Sequence, residues 1–360
     1  MNATSPRSDQ PLPHAATRLP LSPRLSCLLI LCALFLALLN PPALRAQTAD
    51  TLPPVAYSTF IQLTNDMEAW TEQDWTELFS RFEALRIGEI VLQWSEYDTW
   101  NLFPATERTL RMASQRNMRV WVGLKHDSSW WTGITYAVEP LKAYLWKVFS
   151  GQARLGEAIL DTCMAYPAFA GLYLPLELDD STWNQPQKRH ILFQTFRHFR
   201  ATFMARHPGI PLAISGFSNG VDSPDAWAMF WKETALAAAL NRVYVQDGVG
   251  AGKLRPQEAG LYLEATRRAL ESIGVETVAV VEAFIQTPSK PGVTYAANPT
   301  TLPLLAEQVR AAAAAGIRDV AFFAVPNYMT RFGGPDAATL GREWQKLLPP
   351  TTATPPRHGR

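Results

Sequence analysis

Cysteine is scarce in this sequence. Only three are present in 360 residues, and two of them, Cys27 and Cys32, lie in an apolar N-terminal segment. Cys163 therefore has no disulfide partner in the rest of the chain, and the fold must depend on its hydrophobic core. The surrounding DTCMAYP has no histidine to serve as a base. We interpret Cys163 as a buried helical residue rather than a nucleophile.

An excess of one charge sign is also missing. The sequence has 33 Lys and Arg residues against 32 Asp and Glu residues, for a formal net charge of +1. Residues 1–46 contain four Arg and one Asp, so the remainder carries −2. Proteins that bind nucleic acid usually carry a basic patch or stripe. Nucleic acid is therefore not an expected partner.

The N-terminal apolar segment is too short for a membrane span, which needs about 20 residues. It covers residues 25–39 (LSCLLILCALFLALL) and follows Arg18 and Arg24, a pattern typical of a secretory signal peptide. We predict cleavage after Ala46, with an uncleaved N-terminal anchor (residues 1–46) as the alternative. Both interpretations place the protein outside the cytoplasm, secreted or periplasmic, with no other membrane contact.

A polar linker (residues 47–55) and a Pro-rich tail (residues 349–360), which is expected to be disordered, flank the central region. Within that region, strand-like and helix-like hydrophobic patterns alternate. Runs rich in β-branched and aromatic residues predict strands at 57–63, 89–95, 119–125, 170–177, 211–217, 241–247, 276–284 and 319–325. Helical apolar spacing follows each run, at 72–86, 105–117, 139–165, 186–207, 224–239, 257–273, 301–315 and 335–347.

Eight strand–helix units over residues 56–348 predict one domain of the α/β class, a (β/α)8 TIM barrel. An open doubly wound sheet is the alternative, and such a sheet usually has a Gly-rich first turn. The first turn here, QLTNDMEAW, contains no glycine. In a barrel the C-terminal ends of the strands form the active-site mouth, so the side chains at those positions are the candidates for function.

Two glutamates stand near the C-terminal ends of the fourth and seventh predicted strands, Glu177 in GLYLPLELDD and Glu282 in TVAVVEAF. A carboxylate in such an apolar run costs several kcal/mol unless it is paired or hydrated. Two carboxylates across one mouth are the minimum for cleaving a glycosidic bond, so we predict that both are catalytic. A structural salt bridge, for example between Glu282 and Lys125, is the alternative.

Polar residues follow the other strands and are expected to form a hydrogen-bonding mouth for a polyhydroxylated ligand. The predicted substrate-binding residues are Gln62, Gln93, Trp94, Lys125, Asp179, Asn219, Asp247, Asn327 and Tyr328. Asp247 is also the main rival for a catalytic carboxylate, and a turn role in QDGVGAGK is equally open. A capping role is open for Asp180.

No metal or cofactor is predicted. His126 has no second His or carboxylate at metal-ligand spacing. The segment GVGAGK departs from a phosphate loop, because Asp247 replaces its first glycine and Leu254 its Ser or Thr. SGFSNG lacks the GxSxG spacing of a serine nucleophile. A metal-dependent hydrolase such as a deacetylase is kept as a third class, which elemental analysis would decide.

Tryptophan is abundant, with 12 residues. Those predicted on the mouth side, on or just after strands two, three and four, are Trp94, Trp100, Trp130, Trp131 and Trp183. Tryptophans in polar loops such as HDSSWWTG suit platforms for the faces of sugar rings, and ordinary loop packing is the alternative.

Five segments together, STFIQL, VLQWSEYD, LYLPLELDD, VYVQDGVGAGK and VVEAF, carry a family resemblance. With them the chain resembles a bacterial family known as domain of unknown function 4434, whose members are secreted, glycoside-hydrolase-like TIM barrels. The likeness covers roughly residues 56–330, and QDGVG and LPLELDD are its most specific parts. It implies the barrel and a carbohydrate context.

The arrangement is also similar to the large clan of retaining glycosidases. That resemblance implies that Glu177 is the acid/base and Glu282 the nucleophile. The clan usually has Asn before the strand-four glutamate, where this chain has Leu176. Asn219 or Gln93 is the candidate to replace that Asn.

We therefore expect a monomeric, retaining glycosidase that acts on a β-linked polysaccharide or oligosaccharide. The second hypothesis is a non-catalytic carbohydrate-binding barrel of a polysaccharide secretion or uptake system.

Overall fold

The computed structural model describes residues 52–53, 55–288 and 296–348. The leader (1–46), the tail (349–360) and most of the linker lie outside these residues, so the expectations about them stay predictions. Within the described part of the chain, no helix combines the length and apolar character that crossing a membrane requires.

Eight parallel strands close into a barrel, which confirms the predicted fold. The strands pair in chain order and the last pairs with the first. They are β1 (Ala56–Ile61), β2 (Ile87–Leu92), β3 (Arg119–Gly123), β4 (Phe169–Asp179), β5 (Leu212–Phe217), β6 (Arg242–Gln246), β7 (Glu276–Glu282) and β8 (Asp319–Phe323). Each predicted run overlaps one of these strands.

A helix follows each strand and covers the outside of the barrel. The helices are α1 (Glu72–Ala84), α2 (Phe103–Ser114), α3 (Val138–Met164), α4 (Pro186–Thr202), α5 (Pro224–Ala238), α6 (Pro256–Glu271), α7 (Leu302–Ala314) and α8 (Pro335–Leu347). Proline stands at the first or second position of six of them, α2 and α4–α8. Its missing N–H has no intrahelical partner in the first turn, so it is tolerated there.

Alternate residues of the strands fill the barrel. The buried interior cluster contains Phe60, Val91, Trp121, Ala170, Tyr173, Ala213, Tyr244, Val278, Val280, Ala321 and Ala324. The Phe60 ring packs edge-on against Tyr173 and Tyr244, with centroids 5.7 and 5.4 Å apart. Residues on the opposite strand face, such as Leu176 and Leu178, belong to the larger cluster shared with the helices. The barrel is thus a packed core whose functional residues must lie at an end.

A buried ion pair occupies the N-terminal end of the barrel. Arg242 of β6 pairs across the interior with Glu89 of β2, and both side chains are almost fully buried. The Arg242 guanidinium also lies over the Trp121 ring, 4.8 Å from its centroid. This end is therefore closed by a charged, well-packed cluster.

Short elements surround the C-terminal end of the barrel, here called the mouth. They are a three-stranded sheet (Glu96–Tyr97, Trp100–Asn101, Lys125–His126), an antiparallel pair (Phe284–Gln286 with Ala297–Pro299) and the helical turns Trp130–Gly133, Asp180–Trp183 and Val325–Tyr328. Each follows the end of a barrel strand, so the loops that carry them form the rim of the mouth.

Candidate active site

Glu177, Gln246 and Glu282 occupy inward-facing positions at the C-terminal ends of β4, β6 and β7. Glu282 follows Val280 by two residues and Gln246 follows Tyr244 by two, and both preceding residues belong to the interior cluster. Because side chains alternate along a strand, Gln246 and Glu282 point to the same interior. The Gln246 amide donates a hydrogen bond to Glu177, which brings all three residues together.

Glu177 is partly buried near the end of β4. Its Oε1 atom accepts a hydrogen bond from Gln246 Nε2 at 2.9 Å. Burial raises the pKa of Glu177, whereas the hydrogen bond from Gln246 and the positive charge of Lys253 act in the opposite direction. The carboxyl group is therefore held in one orientation by an uncharged partner.

Glu282 is the more deeply buried of the two glutamates, with 4% of its surface exposed. Its Oε2 atom accepts a hydrogen bond from the backbone N–H of Ala251 at 2.7 Å. Burial, followed by the negative charge of Asp247, raises the pKa of Glu282 to about 8. The Ala251 hydrogen bond and the charge of Lys253 lower this pKa, and the charge of Glu177 makes the smallest contribution among those that raise it. The charges of the two glutamates therefore interact.

Asp247 lies directly behind Glu282. Its Oδ2 atom accepts a hydrogen bond from Gln308 Nε2 of α7 at 2.8 Å, and Oδ1 accepts one from the backbone N–H of Val249 at 3.1 Å. Burial raises the pKa of Asp247 to about 6 although these hydrogen bonds lower it. The Asp247 carboxylate accepts more hydrogen bonds than the Glu282 carboxylate, and hydrogen bonds of this kind stabilise the charged form. A proton shared by the two carboxyl groups therefore resides mainly on Glu282.

The loop between β6 and α6, residues 247–255, covers Glu282. A Cβ atom at Gly250 would lie 2.2 Å from the carbonyl oxygen of Phe284 and 2.9 Å from Glu282 Cβ. The backbone carbonyl of Gly250 accepts a hydrogen bond from Gln286 N–H at 2.8 Å. Only glycine permits this approach, which places the Ala251 N–H against the Glu282 carboxyl group.

Lys253, from the same loop, supplies positive charge at the mouth. Its Nζ atom lies 3.0 Å from the centroid of the Phe217 ring. Burial lowers the pKa of Lys253, and the nearby carboxylates, Glu282 and Glu177 first, raise it. The alternative of a Glu282–Lys125 salt bridge is not observed, because Lys125 pairs with Glu96.

Asp179 and Asp180 hold the loops after β4 and β5. Asp179 caps the turn that follows it, accepting hydrogen bonds from Ser181 N and Thr182 N at 3.0 and 2.9 Å. Asp180 accepts from Ser218 Oγ at 2.6 Å and from three backbone N–H groups of residues 219–222. Asn219 donates to both aspartates. The second carboxyl oxygen of Asp179 is buried without a hydrogen-bond partner.

The aromatic residues of the mouth divide into buried and exposed groups. Trp130 and Trp183 are almost fully buried, and Trp94 donates from Nε1 to Leu63 O at 2.7 Å. These three are structural. Trp100 and Trp131 have 49% and 45% of their surfaces exposed. The sequence could not separate the groups, because both lie in polar loops.

The remaining predicted substrate-binding residues differ in how they are placed. Gln93 is buried and its Oε1 atom has no hydrogen-bond partner. Gln62 is half-buried after β1. Asn327 is exposed, and Tyr328 packs beside Phe284 with ring centroids 5.4 Å apart. Their contact with substrate stays a prediction.

Lys125, also predicted to bind substrate, is engaged in an ion pair of its own. Its ammonium group binds Glu96 and the carbonyl oxygen of Asp98. Its side chain lies against Gly151 of α3. A sugar-positioning role for Lys125 would require this ion pair to open, and it stays a prediction.

Three residues that contact the candidate site had weak or no signals in the sequence. Gln246 was visible only as one polar strand end among several, and Lys253 only within a rejected phosphate-loop pattern. Gln308 lies in the middle of α7, 61 residues from Asp247. In the sequence, Gln308 is one of several polar residues on an Ala-rich helix. The spacing of residues along that helix does not indicate that Gln308 contacts Asp247.

In residues 52–53, 55–288 and 296–348, no group of three or more His, Cys, Asp and Glu side chains could hold a metal ion. His126 Nδ1 instead lies 3.3 Å from the carbonyl oxygen of Pro175, and burial lowers the pKa of His126.

The closed barrel and its mouth of paired carboxylates define a glycoside-hydrolase-like TIM barrel. The chain belongs to the family described as Domain of unknown function (DUF4434), which it matches over residues 58–339. This confirms the resemblance read from the sequence. The protein YbcH of Escherichia coli K12, described as uncharacterized, is 28% identical over 239 residues, covering 64% of this chain and 76% of YbcH.

Several solved structures share the fold. A proposed alpha-L-fucosidase of Bacteroides thetaiotaomicron matches with a TM-score of 0.64 and 16% identity, covering 84% of this chain and 99% of that one. The spore cortex-lytic enzyme SleL of Bacillus cereus matches at 0.51 and 10%, covering 83% and 75%. A beta-galactosidase of Marinomonas ef1 matches at 0.51 and 10%, covering 81% and 58%. At these identities the likeness shows the fold alone.

Proposed function

We propose that this protein hydrolyses glycosidic bonds in a β-linked polysaccharide or oligosaccharide. The observation that carries the proposal is the placement of Glu177 and Glu282 at the ends of β4 and β7, inside one mouth and close enough for their charges to interact. Neither position is explained by an ion pair with Lys125. Two interacting carboxyl groups in a barrel mouth are what glycosidic cleavage requires.

The proposed reaction is a double displacement with net retention. One glutamic acid transfers its proton to the leaving oxygen while the other carboxylate forms a bond to the anomeric carbon and the C–O bond breaks. The first residue, now a carboxylate, then removes a proton from a water molecule. The water oxygen bonds to the anomeric carbon, and the bond between the sugar and the second glutamate breaks. Retention is the outcome that the resemblance to the retaining clan implies.

We assign the proton to Glu282. Burial and the neighbouring charge of Asp247 raise the pKa of Glu282 to about 8, so it is mainly protonated at neutral pH. Burial also raises the pKa of Glu177, but the hydrogen bond from Gln246 and the charge of Lys253 lower it. Glu282 is then the proton donor and Glu177 the nucleophile, the reverse of the roles that the clan resemblance implies. Pairs of carboxyl groups whose environments separate their pKa values generally divide the acid and base roles in this way.

The test compares Glu282→Gln with Glu177→Ala on a panel of β-linked polysaccharides and 2,4-dinitrophenyl glycosides. Both variants should lose hydrolysis of the polysaccharides by at least about 100-fold, the usual lower bound for losing a general acid. Glu282→Gln should still cleave the dinitrophenyl glycosides, whose leaving group needs no proton, and azide should give a glycosyl azide of retained configuration. Azide with Glu177→Ala should give the inverted product.

Separate outcomes test whether the protein hydrolyses glycosides and which glutamate is the proton donor. Both variants should keep melting temperatures within a few degrees of the wild type, which separates chemistry from folding. The opposite azide products would restore the roles implied by the clan resemblance. Failure of the wild type to cleave any member of the panel, with full binding of one of them, would contradict hydrolysis.

One observation favours a second candidate, a non-catalytic carbohydrate-binding barrel. Leu176 stands before Glu177 and is 1% exposed, packed in the helix-facing cluster. It therefore presents no polar group to a sugar. Binding of an oligosaccharide by calorimetry, unchanged in Glu177→Ala and without release of reducing ends, would support this candidate.

A further inference from the structure

Trp131 is a large aromatic residue that the core does not explain. It belongs to the helical turn Trp130–Gly133 after β3, and 45% of its surface is exposed. Its neighbour Trp130 is 1% exposed and donates from Nε1 to the backbone carbonyl of Glu177 at 3.1 Å. The turn that presents Trp131 is therefore anchored to the strand residue that carries one of the two carboxyl groups.

Trp131 is also in contact with the wall of the mouth. Its ring lies against Phe217 at the end of β5, with centroids 5.8 Å apart and planes inclined by 38°. The Phe217 ring also contacts Lys253, whose ammonium group lies 3.0 Å from the ring centroid. Lys253 interacts electrostatically with Glu282 and Glu177. Trp131, Phe217 and Lys253 thus form a continuous row from the rim to the carboxyl groups.

An anchored, half-exposed indole beside polar groups has a definite binding chemistry. The face of the ring is apolar and large, and its position is set by the anchored turn and by the contact with Phe217. Little conformational entropy is therefore lost when a ligand covers it. A pyranose with equatorial substituents presents axial C–H groups on each face and can cover the indole, while its hydroxyl groups stay in water. A sugar with a crowded face cannot make this contact.

We propose that Trp131 is the floor of a second sugar subsite, which binds the pyranose unit next to the one held at Glu177 and Glu282. The substrate is then at least a disaccharide of β-linked, equatorially substituted pyranoses. This inference rests on the proposed function for the location of the neighbouring subsite. Binding at Trp131 itself does not require turnover.

The experiment measures binding in the Glu282→Gln background by calorimetry. The probes are cellopentaose, xylopentaose, laminaripentaose and chitopentaose, and the variants are Trp131→Ala and Trp131→Phe. Trp146→Ala is the matched control, since Trp146 is 37% exposed on α3 and packs against His198 away from the row. Trp131→Ala should weaken binding of the preferred probe at least about tenfold, whereas Trp131→Phe should keep most of the affinity. Trp146→Ala should leave the affinity unchanged.

The outcomes separate this inference from the proposed function. Equal affinities in Trp131→Ala and Trp146→Ala would overturn the subsite, and so would absence of binding by all four probes. A loss confined to Trp131→Ala, in a protein whose wild type cleaves none of the probes, would support the subsite and contradict hydrolysis of these probes. If the wild type is active, Trp131→Ala should raise KM for the pentaose.

Discussion

At the scale of single residues, the proposed chemistry depends on which of two buried neighbours, Asp247 or Glu282, carries a proton. The carboxylate of Asp247 is stabilised by Gln308 and by the backbone of its own loop. Glu282 has the Ala251 N–H and a negative neighbour. We therefore propose that Asp247 positions and tunes Glu282 rather than acting as a catalytic carboxylate itself.

Replacing Asp247 by Asn should lower the pKa of Glu282, because the variant removes a nearby negative charge and leaves a group of the same shape. The wild-type midpoint is expected near the value of about 8 that burial and Asp247 produce. In Asp247→Asn it should fall by at least about one pH unit. Carbon-13 NMR of labelled glutamate carboxyl groups would measure both midpoints without requiring activity.

The same substitution gives a signed prediction for the pH–activity profile. A proton donor must be protonated, so kcat/KM should fall as the pH rises through the pKa of Glu282, and this fall should begin at lower pH in Asp247→Asn. Asp66→Asn, in an exposed 3-10 turn, is the control and should leave the profile unchanged. A profile that rises through the same midpoint would show that Glu282 acts as a base or nucleophile.

At the scale of elements, the loop between β6 and α6 determines the surroundings of Glu282. The close approach at Gly250 and the hydrogen bond from Ala251 N–H belong to one loop conformation. Lys253 belongs to the same loop. One eight-residue segment (247–254) thus contains three groups that act on Glu282: the Ala251 N–H, the Lys253 ammonium group and the Asp247 carboxyl group.

Gly250→Ala should displace this loop, because the new Cβ atom would lie 2.2 Å from the carbonyl oxygen of Phe284. Overpacking of this kind costs about 1–3 kcal/mol of unfolding free energy. Chemical denaturation would measure the loss, and kcat should fall with it. Gly88→Ala is the control, since nothing lies within 4 Å of its Cβ position. Equal stability of the two variants would contradict the proposed role of the loop.

At the scale of the whole molecule, the two ends of the barrel differ in how their buried charged side chains are paired. At the N-terminal end, Arg242 is paired with Glu89 and with Glu276. At the mouth, Glu177 and Glu282 receive hydrogen bonds from neutral donors. A charge that is fully paired contributes to the fold, whereas a carboxyl group without a cationic partner is available for chemistry.

Arg242→Met should therefore destabilise the whole barrel, because it removes the buried partner of the Glu89 carboxylate and leaves it the longer contact with the more exposed Arg119, at 3.6 Å. The expected loss is about 3–5 kcal/mol of unfolding free energy, measured by chemical denaturation. The double variant Arg242→Met with Glu89→Met should recover much of this loss, since neither charge then remains buried. A double variant as unstable as the single one would indicate that packing, rather than the unpaired charge, is responsible.

Local patterns in the sequence were sufficient to predict most of the fold. The alternation of β-branched runs with helical spacing predicted all eight strand–helix units, because a barrel repeats one local unit and each unit buries a periodic face. The prolines at the helix starts marked their first turns. The predicted ends of several elements extend beyond the observed ones, as at residues 93–95 and 203–207, where polar and loop contacts end the regular structure.

The sequence by itself determined the barrel and the placement of Glu177 and Glu282 at strand ends, since both follow from the period of two along a strand and the direction of parallel strands. Only the tertiary structure decided which groups surround them. Gln246 reaches Glu177 across 69 residues, and Gln308 reaches Asp247 across 61. Such contacts depend on the shear of the closed barrel and on the approach of α7, which no local pattern encodes. The pKa of Glu282 depends on those neighbours and on burial, so the division of roles between the two glutamates could be argued only from the folded protein.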